Sequence, residues 1–327
     1  MNEILFSAVT GLGVSATLIG IMLTSGLAHR LALDHPNDRS LHEKSIPRSG
    51  GLGIMCAILV WNWLAPEPQP LPTSLALLLA GISWLDDRHN LGVTVRLTIH
   101  VTSAVLCVLV MMSDLSWPLA TVLILALVWS MNLYNFMDGA NGLAGGMTAI
   151  GFGFLGLAAY SANWMVMAAI SVSVAMAALG FLFFNFGQAK IFMGDCGSVP
   201  LGFLASTIGA LGWYRDIWPA TFPILVFFPF IADASITLLR RLMQREAFWR
   251  PHREHYYQRL IRMGWSHRKT ALAYYVWMAA SGLSGLASIY MLPIWAFVLL
   301  GAWLVTIALI FRQVDIHWQK RNQNLFL

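Results

Sequence analysis

The sequence predicts an all-α polytopic membrane protein of about eleven transmembrane helices whose reactive residues gather at the cytoplasmic face. Three observations predict it. Of 327 residues, 58% are hydrophobic and 11% charged, whereas soluble domains carry about 25% charged residues. The apolar residues come in successive runs near the ~20-residue length that crosses hydrocarbon, separated by short polar segments. If those runs alternate in direction, only Arg215 of the 20 Lys and Arg falls on the face opposite the rest. The positive-inside rule then puts the N-terminus outside and the C-terminus inside.

The runs fall near 4–28, 51–65, 71–85, 95–112, 117–134, 142–160, 164–184, 199–214, 217–238, 271–291 and 293–311. The first follows Glu3 rather than a basic segment and is too long for the apolar stretch of a cleaved leader, so it is expected to be a retained span. The second, third and eighth are short and would need snorkelling ends or local thinning to cross. The outer connections are small, such as Ser113 to Ser116 and Ser161 to Asn163. The inner ones hold nearly every residue capable of chemistry, and the largest is a cytoplasmic loop over 239–270 inside one domain spanning 1–327. The three cysteines have neither a paired framework nor CxxC spacing. The net charge of +5 comes from juxtamembrane Lys and Arg, so membrane lipids and no nucleic acid are expected as partners.

Five inner segments combine residue types that chemistry uses. Asp86 and Asp87 end the third run beside the negative end of a helix dipole, where local electrostatics disfavour them. Neighbours on a helix diverge by about 100°, so one could face a cation and the other a substrate proton; a solvated helix end is the bland alternative. In Asn132-Leu-Tyr-Asn135-Phe-Met-Asp138-Gly the two Asn share a helix face, and the glycines that follow let the chain turn Asp138 beside them. The loop Phe192-Met-Gly194-Asp195-Cys196-Gly197-Ser198 opens the eighth run, where Asp195 could be a Mg²⁺ ligand or a helix cap. His42-Glu-Lys44-Ser-Ile-Pro47-Arg48-Ser-Gly-Gly places Lys44 and Arg48 at the membrane surface, suited to an anionic headgroup or pyrophosphate. Positive-inside topology explains the charges but not the Pro-Arg-Ser-Gly-Gly run. His252 and His255 lie three apart in His252-Arg-Glu-His255-Tyr-Tyr-Gln-Arg259 and are read as site residues. Arg259, Arg262, Arg268 and Lys269 are read as a basic face on the bilayer. Asp233, deep in the ninth run, should face the bundle interior, either touching substrate or pairing with a basic neighbour.

Together these five ordered segments, from about Leu41 to Leu260, resemble the polyprenyl-phosphate N-acetylhexosamine-1-phosphate transferases. The resemblance implies attack of undecaprenyl phosphate on the β-phosphate of a UDP-sugar at the cytoplasmic face of the bacterial inner membrane, with release of UMP. It further implies that Asp195 holds Mg²⁺, with Mn²⁺ as a substitute, and that Asp86 or Asp87 orients or deprotonates the lipid phosphate. Asn135 and Asp138 would shape the nucleotide pocket with Asn132 beside them, and Asp138 would join Asp86 and Asp87 as a catalytic carboxylate. His252 and His255 would contact the diphosphate, and Lys44 and Arg48 would bind substrate. Many members have a second Asp where this chain has Asn141. The His-Arg-x-His-Tyr-Tyr-Gln-Arg form is similar to the branch that initiates O-antigen in lipopolysaccharide synthesis, whose donors include UDP-N-acetylated and 6-deoxy amino sugars. A homodimer is compatible with all of this.

Two rival readings stay open on the residues. A transporter using an Asp/His relay would want acidic residues at the bilayer midplane, where Asp233 alone is a candidate. A lipid phosphatase using the same carboxylates would make free phosphate instead of UMP.

Overall fold

The computed structural model describes residues 2–34, 45–89, 91–246 and 252–324. Every predicted run is helical over most of its length, and seven helices among the described residues are long and apolar enough to cross a bilayer unaided. The protein is an all-α, multi-pass membrane protein.

In chain order the helices are α1 (Asn2–Thr24), α2 (Leu27–Leu31), α3 (Gly50–Leu64), α4 (Pro70–His89), α5 (Val93–Met111), α6 (Trp117–Phe136) and α7 (Leu143–Ser161). There follow α8 (Met165–Asn185), α9 (Asp195–Tyr214), α10 (Thr221–Val226), α11 (Phe228–Met243), α12 (Tyr256–Arg262), α13 (His267–Ser288) and α14 (Pro293–Asn324). Helix α9 is buried along nearly its whole length, with α4 and α6 against it, while α8 packs between α1 and α7. Close backbone approaches between these helices rest on small residues, as is usual where lipid supplies no hydrophobic drive for helix association.

Three features depart from the run-by-run expectation. The ninth run is not one helix: it breaks at Phe227 into α10 and α11. Pro229 sits at the start of α11, where its missing N–H leaves no helical bond unmade. The last helix continues past 311 to Asn324, well beyond the apolar run. A two-residue antiparallel ladder, β1 (Leu33–Asp34) with β2 (Ile46–Pro47), interrupts the helical pattern on the way to α3.

That ladder explains the Pro-Arg-Ser-Gly-Gly run. The segment 46–51 is held on both sides: the Arg48 amide donates to the Ala32 carbonyl at 3.0 Å, and the Phe192 amide to the Pro47 carbonyl at 2.7 Å. The Gly50 and Gly51 amides then donate to the Phe192 and Met193 carbonyls, each at 2.8 Å. Helices α3 and α9 meet there so closely that a Cβ on Gly51 would collide with the Gly197 backbone and lie 2.9 Å from the Met193 carbonyl oxygen. Both neighbours are backbone and cannot swing aside. Gly51→Ala is therefore expected to destabilise the protein by about 1–3 kcal/mol through overpacking. Gly81→Ala, on an open face of α4, is expected to be neutral or to stabilise by up to about 1 kcal/mol. Thermal unfolding of the two variants in one detergent compares them, and equal midpoints would remove the close-approach argument.

Candidate active site

Four chain segments bring carboxylates around one guanidinium. Arg48, delivered by the ladder, donates through Nη2 to Asp195 Oδ1 at 2.7 Å, lies 3.2 Å from Asp87 Oδ1, and places Nη1 3.9 Å from Asp34 Oδ1. Burial alone would lower the Arg48 pKa, but Asp195, Asp87, Asp34 and Asp138 override it and raise it. Asp195 begins α9 directly after Gly194, whose φ of +74° is a backbone conformation few other residues accept. The carboxylate thus sits at the positive end of the most enclosed helix of the bundle, where negative charge is favoured.

Asp86 and Asp87 lie in the last turn of α4 and diverge as helical neighbours must. Asp86 pairs with Arg96 on α5, Nη1 to Oδ2 at 3.1 Å. Asp87 turns the other way, to Arg48 and Asp195. Burial and the nearby Asp195 charge push the Asp87 carboxyl up to about 7, against the downward pull of Arg48. Its Oδ2 is buried without a hydrogen-bond partner. Asp138, in the turn after α6, is pushed well above the carboxylate range by burial, with Arg48 pulling it down and the Asp195 charge adding to the rise.

A cavity of about 150 Å³ opens beside this cluster, lined in part by Asp86, Arg96, His100, Asn132, Asn135 and Asp195. Asn135 Nδ2 donates to Ser198 Oγ at 3.3 Å, and Asn132 Nδ2 to the Val128 carbonyl at 2.7 Å. Of the residues singled out from the sequence, Arg48, Asp86, Asp87, Asp138 and Asp195 therefore share one neighbourhood with Asn132 and Asn135. Lys44 and His42 lie outside the described residues.

The His252–His255 arm reaches the same turn from the other side. Its rings are 4.9 Å apart, and His255 stacks between Phe136 and Tyr257 at centroid distances of 5.8 and 6.0 Å. The Tyr257 hydroxyl donates to the Phe136 carbonyl at 2.9 Å, fixing the arm to the turn that presents Asp138. His255 is buried and its Nδ1 lies 3.5 Å from Asp233 Oδ1, whereas His252 is half-buried. Burial, His255 and the neighbouring Arg241 and Arg240 lower the His252 pKa to about 4, so it is neutral near pH 7.

Asp233 is not at the site. Fully buried, it accepts from the Tyr256 and Tyr257 amides at 2.8 and 3.0 Å and from the hydroxyls of Tyr274 and Thr237. It caps α12 from a distance. Asn141 is structural as well, because its side-chain amide donates to the Gly187 carbonyl at 2.8 Å, a bond that an Asp carboxylate could not make. Arg259 does not face the bilayer as expected; it is buried, with Nη1 2.6 Å from Asp315 Oδ1.

Two further residues at the cavity, Arg96 and His100, carry no signal in the sequence that marks them as site residues. Arg96 is legible as a cation ten residues beyond Asp86, but nothing in the pattern shows that it turns back onto that carboxylate. Among the described residues no three His, Cys, Asp or Glu side chains form a ready-made metal cluster. The donor set instead fits an ion such as Mg²⁺ that takes one or two carboxylates and completes its shell with phosphate oxygens and water: Asp195 is solvent-reachable, and the buried Asp87 Oδ2 has an open valence beside it.

The sequence model of glycosyl transferase family 4 matches residues 71–213, which hold Asp86, Asp87, Arg96, Asn132, Asn135, Asp138 and Asp195. A probable undecaprenyl-phosphate N-acetylglucosaminyl 1-phosphate transferase of Bacillus subtilis (strain 168) is 29% identical over 284 residues, covering 80% of this chain and 79% of that protein. A decaprenyl-phosphate N-acetylglucosaminephosphotransferase of Mycobacterium leprae (strain TN) is 31% identical over 333 residues, covering 86% of this chain and 84% of that one. An undecaprenyl-phosphate alpha-N-acetylglucosaminyl 1-phosphate transferase of Escherichia coli (strain K12) is 28% identical over 292 residues, covering 79% of each.

Proposed function

Because the chain belongs to glycosyl transferase family 4 and is a sugar-phosphate transferase, we propose that it moves N-acetylhexosamine-1-phosphate from a UDP-sugar to undecaprenyl phosphate, releasing UMP. The observation that carries this reading is the meeting of Asp87, Asp138 and Asp195 around Arg48, beside a cavity that Asp86, Arg96, Asn132 and Asn135 help to line. That arrangement suits a reaction in which two anionic phosphates must be brought together.

In the proposed reaction an oxygen of the lipid phosphate forms a bond to the β-phosphorus of the donor. The bond from that phosphorus to the bridging oxygen breaks, and its electron pair leaves with UMP. Phosphoryl transfer of this kind depends mostly on positioning and charge stabilisation. Mg²⁺, held by Asp195 with Asp87 beside it, would neutralise phosphate charge when bound, and Mn²⁺ would substitute. Asp86 is paired with Arg96 and faces the cavity, so the two together are assigned to orienting the acceptor. Asn132, Asn135 and Asp138 shape the nucleotide side. Arg48 keeps Asp87 and Asp195 from repelling one another before substrate arrives and, with Lys44, binds phosphate charge. His252 contacts the donor diphosphate, and His255, its ring 4.9 Å away, sets its orientation.

An apolar groove of about 390 Å³ lies between α6, α9 and the α10–α11 break, and its apolar lining along α6, the helix that carries Asn135 near its C-terminal end, suits it to a prenyl chain. The finer reading is that the product starts O-antigen in a bacterial inner membrane, with the N-terminus outside and the C-terminus inside. It is supported by the charge asymmetry and by the form of the His252 arm. A second copy is not needed to complete the site as described. The relay reading loses support because Asp233, its deep carboxylate, is committed to the α12 amides.

The test is UMP release by purified protein in detergent given undecaprenyl phosphate, Mg²⁺ and a panel of UDP-N-acetylhexosamines and their 6-deoxy forms. UMP that requires both lipid and metal is the expected result. Free phosphate in place of UMP would mean a lipid phosphatase, and no product from any donor would overturn the reading.

A further inference from the structure

The part of α14 beyond its apolar run lies against the arm. Asp315, four residues past the end of that run at Phe311, accepts from three groups: Arg259 Nη1 at 2.6 Å, Arg240 Nη1 at 3.1 Å and the Tyr256 hydroxyl at 3.1 Å. Tyr256 also lies flat on Phe311, with ring centroids 3.7 Å apart and planes at 4°. The Arg259 and Arg262 guanidiniums sit over the Trp318 ring at 5.6 and 4.6 Å. Glu254 joins the same cluster, 3.5 Å from Arg240 and 3.4 Å from Arg241. Helix α12 is thus held at its N-terminus by Asp233 and along its flank by α14.

The two attachments differ in kind. Asp233 is sealed in the bundle, whereas the Asp315 side chain is 31% exposed and lies beyond the apolar stretch of its helix. Phe311, Asp315 and Trp318 are spaced four and three apart and so share one helix face, and α12 occupies that face.

We propose that Asp315 is a positioning residue for donor binding: through Arg259, Arg240 and Tyr256 it sets where His252 and His255 stand over the Asp138 turn. This rests on the transferase reading. Losing it should leave the carboxylates on α4 and α9 in place and loosen only the arm, so donor affinity should suffer while the chemical step and the acceptor do not.

The experiment compares wild type with Asp315→Asn, Asp315→Glu and Tyr256→Phe in detergent, with Arg312→Gln as a charge control on the same helix. Three readouts are taken: UMP-release kinetics against each substrate, hydrogen–deuterium exchange of the 256–262 amides, and thermal unfolding. Asp315→Asn is expected to raise KM for the UDP-sugar about tenfold with kcat and the acceptor KM within about twofold, the pattern of lost ground-state binding. Exchange over 256–262 should quicken, Asp315→Glu should restore part of both effects, and Tyr256→Phe should show a smaller shift of the same kind. Unchanged donor KM and unchanged exchange would overturn the proposal, as would a fall in kcat and thermal stability with donor KM intact. If wild type itself releases no UMP, the transferase reading fails, and the exchange contrast still decides whether Asp315 holds the arm. If Asp315→Asn does not fold, Tyr256→Phe carries the same decision.

Discussion

Asp195→Asn is expected to cut UMP release by about a hundredfold to a thousandfold while leaving the protein folded, the size of effect seen when a group that stabilises transferring charge is removed. The substitution changes charge and almost nothing else. Asn is isosteric, can still accept from Arg48, and leaves the positive-φ turn at Gly194 untouched. What disappears is the negative charge at the head of α9, and with it the attraction proposed for a divalent cation. The folded protein should tolerate the loss for an electrostatic reason: Asp195 is one cause of the Asp87 carboxyl being pushed up to about 7, so without it Asp87 ionises more readily and pairs more firmly with Arg48. The thermal midpoint should therefore stay close to wild type or rise. UMP release and thermal unfolding on the same preparation check both halves, and a variant that keeps more than about a tenth of wild-type activity would remove Asp195 from the role of metal ligand.

Much of this site is legible in the sequence because its residues sit at ends of apolar runs, where a carboxylate or histidine has few structural excuses. Asp86-Asp87, Asp138 and Asp195 stand out for that reason, and helical geometry already requires the two adjacent carboxylates to point apart. The partners they choose are not legible. Arg96 turns back to Asp86 and Arg48 crosses to Asp195 over 147 residues, pairings set by tertiary approach rather than by spacing. The helices are legible where length and apolarity suffice and less so where packing decides. The break at Phe227 lies inside continuous apolar sequence, and α14 goes on through Arg312, Asp315 and His317, where Tyr256, Arg259 and Arg262 cover one of its faces. Arg259 misleads for the same reason, since a basic residue near a membrane surface looks solvated until its partner on another helix, here Asp315, is known.

Asp233→Ala is expected to do the opposite of Asp195→Asn, destabilising the protein by about 3–5 kcal/mol and removing activity only as a consequence, the range found when one partner of a buried charged network is deleted. Four donors converge on its carboxylate: the Tyr256 and Tyr257 amides and the Tyr274 and Thr237 hydroxyls. All are buried, and each orphaned donor costs about 1–3 kcal/mol when no water can replace the lost acceptor. The sum would exceed the expectation, but the contributions are not additive, because α12 can lift and let water reach its first amides. That release is the functional consequence: with α12 free, Tyr257 leaves the Phe136 carbonyl and His255 leaves its stack between the two rings. Asp233→Asn should fall between wild type and Ala, because one oxygen still accepts while the new NH₂ confronts donors. Thermal unfolding ranks the three proteins, and an Asp233→Ala variant as stable as wild type but inactive would move Asp233 from scaffold to chemistry.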